Sequence, residues 1–97
     1  MSKSKKEAYA KKFEAQLDEW KAEVDLLRAK ADKANAETRI KYHEQIEKVH
    51  EKEKKVRSRL AALKTAGEDS WEDVKKGLED AGKSLKKTFT SIKANFK

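Results

Sequence analysis

The stretch from Phe13 to Thr38 reads FEAQLDEWKAEVDLLRAKADKANAET and contains a helical repeat. Its seam positions recur at alternating steps of four and three residues, at Phe13, Leu17, Trp20, Val24, Leu27, Ala31, Ala34 and Thr38. This spacing predicts an amphipathic α-helix whose apolar side chains form the seam of a coiled coil. The end of the stretch, residues 29–38, is rich in alanine and contributes little apolar area to that seam.

The repeat continues beyond residue 38 but resumes one residue late, at Tyr42, Ile46, Val49, Glu53, Val56, Leu60, Leu63 and Gly67. Two consecutive steps of four relax a left-handed supercoil locally, and the glutamate at position 53 weakens the seam further. Ser4 and Glu7 have the spacing of a capping box, which favours a helix start at that point. We therefore predict one long helix over about residues 5–65, roughly 90 Å in length.

A break in the helix is predicted near residues 66–70. Gly67 suits a helix C-terminus, and Ser70 precedes Asp73 by three residues, as the N-cap of a new helix does. A second amphipathic helix over about residues 71–96 has its apolar face at Trp71, Val74, Leu78, Ala81, Leu85, Phe89, Ile92 and Phe96. Because the seam also continues across Gly67, a kinked but continuous helix stays open as an alternative.

The predicted fold class is all-α, with a long amphipathic helix followed by a shorter second helix in a coiled-coil or helical-hairpin assembly. Residues 1–97 form a single elongated domain in this prediction. The chain has 97 residues, of which 44% are charged, with no proline and three glycines. Its mean hydropathy is −1.09, so it buries a narrow apolar stripe rather than a large globular core.

Composition also excludes several kinds of site and location. Without cysteine the chain has no disulfide framework and no thiolate metal ligand. No run of residues approaches the ~20 apolar residues of a membrane span, and residues 1–12 lack the apolar stretch of a secretory signal. We therefore expect a cytoplasmic protein.

Self-association is predicted from the unequal lengths of the two helices. A second helix of about 26 residues covers roughly 39 Å, so more than half of the first helix keeps an uncovered seam. A homo-oligomer would cover it. The predicted oligomer or packing seam consists of Phe13, Leu17, Trp20, Val24, Leu27, Ile46, Val49, Val56, Leu60, Leu63, Trp71, Val74, Leu78, Leu85, Phe89 and Ile92.

The two ends of the chain are basic, whereas the middle is nearly balanced. Residues 1–12 carry five lysines and one glutamate, and residues 83–97 carry five lysines and no acid, within a net charge of +7. Such ends favour an anionic partner, and they also serve solubility. The candidate contacts for an anionic surface are Lys75, Lys83, Lys86, Lys87 and Lys93.

Two interpretations of the C-terminal helix stay open. Aromatic residues on one face with lysines beside them are typical of a helix at a membrane surface, and equally of a helix packed on its neighbour. In the middle of the chain a basic stripe consists of Lys41, Lys48, Lys52, Lys55 and Arg59. Glutamates interleaved with that stripe dilute its field, so nonspecific nucleic-acid binding is the lesser hypothesis for it.

The sequence predicts no catalytic or metal centre. His43, Glu47 and His50 lie at i, i+4 and i+7, and Glu47 with His50 matches one element of a di-iron bundle site. A di-metal site needs two such elements, and only one is present, so we interpret the three as polar contacts and predict no cofactor. No nucleophile turn or phosphate-cradling loop accompanies the serines and threonines, which predicts a non-enzymatic protein without a small-molecule substrate.

Three segments resemble the small bacterial coiled-coil proteins of the stress-response type, namely Gln16–Trp20, Ala31–Ala34 and Trp71–Gly77 with Leu85 and Phe89 after it. The resemblance spans nearly the whole chain. It implies a helical, non-enzymatic protein and supplies no binding residues. Our first functional hypothesis is a structural or interaction protein, stress-related and self-associating through its seam. The alternative is a basic amphipathic module for anionic surfaces, either a membrane surface or nonspecific nucleic acid.

Overall fold

Over residues 3–95 the computed structural model is all-α, as predicted, and contains three helices joined by two short turns. Helix α1 is Lys3–Lys33, α2 is Ala36–Thr65 and α3 is Trp71–Asn95, and no strand occurs between residues 3 and 95. The structure describes residues 3–95, with side chains from residue 5 onward. The predicted contributions of the Ser4 hydroxyl and of Phe96 therefore lie outside the described part.

The three helices run up, down and up in a bundle of 51 × 18 × 18 Å, in which α2 packs closely against both α1 and α3. Their lengths of 31, 30 and 25 residues correspond to roughly 46, 45 and 37 Å. No helix among the described residues is long and apolar enough to cross a membrane.

The predicted long helix over residues 5–65 is wrong, because the chain turns back at residues 34–35. Asn35 has extended backbone angles, with φ −68° and ψ 169°, and its side chain accepts a hydrogen bond of 2.9 Å from the backbone N–H of Thr38. This is an N-cap, which satisfies one of the free N–H groups at the start of α2. The guanidinium of Arg39 donates to the carbonyls of Ala31 and Ala34, both at 3.3 Å, and so satisfies the end of α1.

The predicted break near residues 66–70 is present, but its capping differs from the prediction. Ala66 is extended, and its carbonyl accepts a hydrogen bond of 2.5 Å from the Lys6 ammonium. The Ser70 hydroxyl bonds the carbonyl of Gly67 at 3.4 Å instead of a backbone N–H of α3. None of the three glycines, all of which are described, has a positive φ, so Gly67 does not form a left-handed C-cap.

The predicted seam lies inside a single chain. Every residue of the predicted oligomer or packing seam is buried between the three helices except Val74, which is half-buried. Each large apolar side chain buried in this way contributes about 1.5–3 kcal/mol. The uncovered seam that motivated the homo-oligomer prediction is thus covered by α2 and α3 themselves. Among the residues with described side chains, the large apolar ones left exposed are Leu26 and Ile40.

The charged residue Glu53 lies in the core. Glu53 is only 2% exposed, and its Oε2 lies 3.2 Å from Nη2 of Arg57 one turn later. Its Oε1 has no hydrogen-bond partner among the described residues, and neither has the buried Nε1 of Trp71. An unpaired carboxylate oxygen in an apolar core opposes folding, in agreement with the weakened seam predicted at this position.

Candidate functional site

The second half of α3 combines a buried apolar face with an exposed basic one. Leu85, Phe89 and Ile92 are buried in the core. After Asp80 the helix contains no acidic residue, so lysines are its only charged side chains. We call residues 83–93 the basic segment; its lysines are Lys83, Lys86, Lys87 and Lys93, all exposed.

An open groove of about 540 Å³ lies between α1 and α3. Aromatic side chains and a glycine form its floor, and four lysines and three glutamates lie around it. The lining residues are Lys12, Phe13, Gln16, Glu19, Trp20, Glu23, Glu79, Gly82, Lys83, Lys86, Phe89, Thr90 and Lys93. Lys93 forms an ion pair of 3.0 Å with Glu23 across the groove. The charges of this α1–α3 groove therefore nearly cancel.

A cluster of aromatic and charged side chains closes one end of that groove. The Tyr9 hydroxyl donates a hydrogen bond to Oε1 of Glu79, and the Tyr9 ring lies 6.0 Å from the ring of Trp71. The ammonium of Lys75 lies 5.4 Å from the Tyr9 ring centre and 5.2 Å from that of Trp71, within the range of a cation–π interaction. Lys12 lies 5.7 Å above the Tyr9 ring.

The pair of Tyr9 and Glu79 changes the titration of both groups. The hydrogen bond from Tyr9 lowers the pKa of Glu79, with the ammonium of Lys75 acting in the same direction. Burial raises the pKa of Tyr9, and the hydrogen bond to Glu79 raises it further. This pair joins α1 to α3 where the two helices make few backbone contacts.

A second groove of about 340 Å³ lies on the other side of α3, against α2. Its lining residues are Gln45, Lys48, Lys52, Ser84, Lys87, Thr88 and Ser91. The Lys52 ammonium donates to the Ser84 hydroxyl at 3.0 Å and to the Thr88 hydroxyl at 2.7 Å. Among the described residues no carboxylate lines this α2–α3 groove, and its three lysines lie among hydroxyl and amide groups.

The five predicted surface contacts are divided among three places. Lys83, Lys86 and Lys93 line the α1–α3 groove, Lys87 lines the α2–α3 groove, and Lys75 lies on the aromatic cluster. They therefore do not form one compact site. Sequence reasoning missed Lys12, because no local pattern shows that α1 lies beside α3.

The histidine motif of α2 contacts α1, and the basic stripe of α2 is divided between two places in the structure. His50 Nε2 lies 2.9 Å from Nη2 of Arg28, and the described residues contain no group of three side chains arranged to hold a metal ion. Of the basic stripe, Lys48 and Lys52 line the α2–α3 groove, whereas Arg59 lies against Gly77. The two grooves present ammonium and hydroxyl groups that can donate hydrogen bonds to oxyanions.

Comparisons with protein-family models, with curated proteins and with solved structures give no match.

Proposed function

We propose that the protein is a non-enzymatic binding protein that attaches, without sequence preference, to the phosphate backbone of nucleic acid through the basic segment of α3. The observation that carries this proposal is the orientation of α3. Its apolar face is turned into the core, which leaves the lysines of residues 83–93 exposed, and of these Lys93 is paired with Glu23. Lysines placed in this way neutralise phosphates and release counterions, which supplies most of nonspecific binding.

The burial of the apolar face favours nucleic acid over a membrane surface. A helix that binds at a lipid interface inserts its apolar side chains about 5–10 Å into the headgroup region. In α3 these side chains are Leu85, Phe89 and Ile92, and they lie in the core. Insertion would require the bundle to open, whereas contact with backbone phosphates leaves it intact.

Fluorescence anisotropy with labelled duplex DNA tests the proposal across about 50 to 200 mM salt. The variant Lys83→Gln/Lys86→Gln/Lys87→Gln removes three exposed charges of the basic segment. It is expected to weaken binding and to reduce the slope of log K against log salt by about 2 to 3.

The matched control removes three exposed lysines of α1 and α2 that line neither groove, Lys21, Lys30 and Lys54. This control has the same net charge as the triple variant of the basic segment. It is expected to keep most of the slope of log K against log salt. An equal loss of affinity for duplex DNA in the two variants would assign binding to net charge alone and contradict the proposal. Binding to anionic vesicles without binding to duplex DNA would move the function to a membrane surface.

The stress-related, self-associating role is the second proposal, and the resemblance to stress-response proteins supports it. Because the seam is buried within the chain, a second copy would contact another surface. Leu26 and Ile40, which are 57% and 60% exposed, lie on the two helices joined at residues 34–35 and offer large apolar side chains for such a contact. Sedimentation velocity in the same salt series measures this association.

A further inference from the structure

The α2–α3 groove is built from two helix faces that are entirely polar. Gln45, Lys48 and Lys52 lie at i, i+3 and i+7 of α2, so they share one face. Across the groove, the contributing residues of α3 lie at i, i+3, i+4 and i+7 and are Ser84, Lys87, Thr88 and Ser91. The sequence therefore places seven hydrogen-bonding side chains, and no apolar one, where two helices meet at the surface.

Hydrogen bonds within the groove hold its central cation in place. Lys52 donates to the hydroxyls of Ser84 and Thr88, at 3.0 and 2.7 Å. The Thr88 hydroxyl in turn donates to the backbone carbonyl of Ser84 at 3.0 Å, which fixes its lone pairs toward Lys52. An ammonium has three N–H donors, so Lys52 keeps one for a ligand. A lysine held in this way loses less side-chain entropy on binding than a solvated one.

The lysines of the groove do not pair directly with carboxylates among the described residues. In the described part of the chain, no ion pair joins Lys48, Lys52 or Lys87 to a carboxylate. Lys48 and Lys52 are one turn apart on α2, where like charges repel, and Lys87 adds a third charge from α3. The α1–α3 groove differs, because Glu19, Glu23 and Glu79 line it among the lysines.

We propose that the α2–α3 groove is a binding site for the phosphoryl group of a phosphate monoester or of free phosphate. A phosphoryl dianion balances two of the three lysine charges, whereas a carboxylate or a phosphodiester balances one. Its terminal oxygens accept hydrogen bonds from ammonium and hydroxyl groups on both helices. Lysine binds phosphate as a point charge, which suits this arrangement without arginine. The site goes beyond the proposed function, since Lys48 and Lys52 lie outside the basic segment.

The test uses isothermal titration calorimetry and amide NMR shifts, with inorganic phosphate added at constant ionic strength. Saturable shifts are expected at residues 45–52 and 84–91. Lys52→Gln is expected to weaken phosphate binding about tenfold, because it removes a hydrogen bond to a charged group. Lys54→Gln makes the same charge change on an exposed part of α2 outside the groove and is expected to change affinity less than about twofold.

Further probes separate the sources of the phosphoryl group. Glycerol 3-phosphate, a monoester, is expected to bind like inorganic phosphate, and dimethyl phosphate, a diester, more weakly. Shifts that do not saturate, or that respond equally to Lys52→Gln and Lys54→Gln, would overturn the site. Equal affinity for dimethyl phosphate would overturn its preference for monoesters.

Two measurements keep the result independent of folding and of the proposed function. Circular dichroism tests whether the Lys52→Gln variant is folded. If it is not, the Lys48→Gln variant is used in its place. The Lys52→Gln variant is also titrated with duplex DNA. Loss of phosphate binding with retained DNA binding separates the groove from the basic segment. The variant Lys83→Gln/Lys86→Gln, which leaves every lysine of the α2–α3 groove in place, gives the converse comparison.

Discussion

Two glycines of α3 respond oppositely to alanine because their neighbours differ. A Cβ at Gly77 would lie 2.6 Å from Nη1 of Arg59, the far end of an exposed, flexible side chain. A Cβ at Gly82 would lie 2.9 Å from Cε1 of Phe13, a ring that is 4% exposed in the core. Both distances are below van der Waals contact, so in each variant the neighbour must move.

The magnitudes follow from what has to move. Alanine in a helix interior is favoured over glycine by about 1 kcal/mol at either position. Arg59 can swing into solvent with little loss, so Gly77→Ala is expected to raise the free energy of unfolding by about 0.5 to 1 kcal/mol. Displacing the buried Phe13 ring is overpacking, which costs about 1–3 kcal/mol and exceeds the gain. Gly82→Ala is therefore expected to lower the free energy of unfolding by up to about 2 kcal/mol.

Urea unfolding followed by circular dichroism measures both variants against the parent chain. For a domain of this size, 1 kcal/mol corresponds to a shift of about 4–8 °C in Tm. Phe13→Leu supplies the space that Gly82→Ala requires, so a double-mutant cycle should give a favourable coupling between the two changes. Equal stabilisation by Gly77→Ala and Gly82→Ala would refute the close contact of Phe13 with Gly82.

Two further predictions concern the buried Glu53 and the half-buried pair of Tyr9 and Glu79. Glu53→Leu removes a carboxylate oxygen without a partner and is expected to raise the free energy of unfolding by about 1 to 2 kcal/mol, measured in urea; a decrease would mean that Glu53 is satisfied. The Tyr9 hydrogen bond lowers the Glu79 pKa below 4.5. The stability that ionised Glu79 adds to the fold through this bond is therefore present above pH 4.5 and is lost as pH falls through the lowered pKa. Burial raises the Tyr9 pKa above 10.0, so the stability contributed by the protonated Tyr9 hydroxyl is present below pH 10.0 and is lost as pH rises. Tyr9→Phe should flatten the pH dependence of unfolding in both ranges, measured at about pH 3, 7 and 11, and an unchanged profile would contradict the pairing.

The helical class and the turn after Thr65 could be read from the sequence because both depend on local patterns. Alternating steps of three and four identify the seam, and Gly67 and Ser70 interrupt helix formation. The turn at residues 34–35 also had a local signal, since Asn35 precedes Glu37 and lies within the alanine-rich end of the first seam. The apolar periodicity continues across the turn and outweighed that signal. Such a periodicity is equally compatible with one straight helix and with two helices in a hairpin.

The candidate site was less predictable than the fold. The lysines of α3 follow from composition, since the last acidic residue of the helix is Asp80. Their division between two grooves does not follow from composition, because it depends on which helix lies on each side of α3. The hydroxyl groups beside Lys52 were also missed, because Ser84 and Thr88 resemble ordinary helix-surface residues until α2 lies opposite them.

The turn at Asn35 decides both the core and the proposed binding surfaces. In an unbroken helix, Lys12 and Lys52 would be 40 residues apart, about 60 Å along one axis. They could not then both lie beside the basic segment, whose residues 83–93 span only about 15 Å. The N-cap of Asn35 and the Arg39 hydrogen bonds make the turn favourable where the seam has little apolar area to lose. By folding back there, the chain covers its own seam and places Lys12 on one side of α3 and Lys52 on the other.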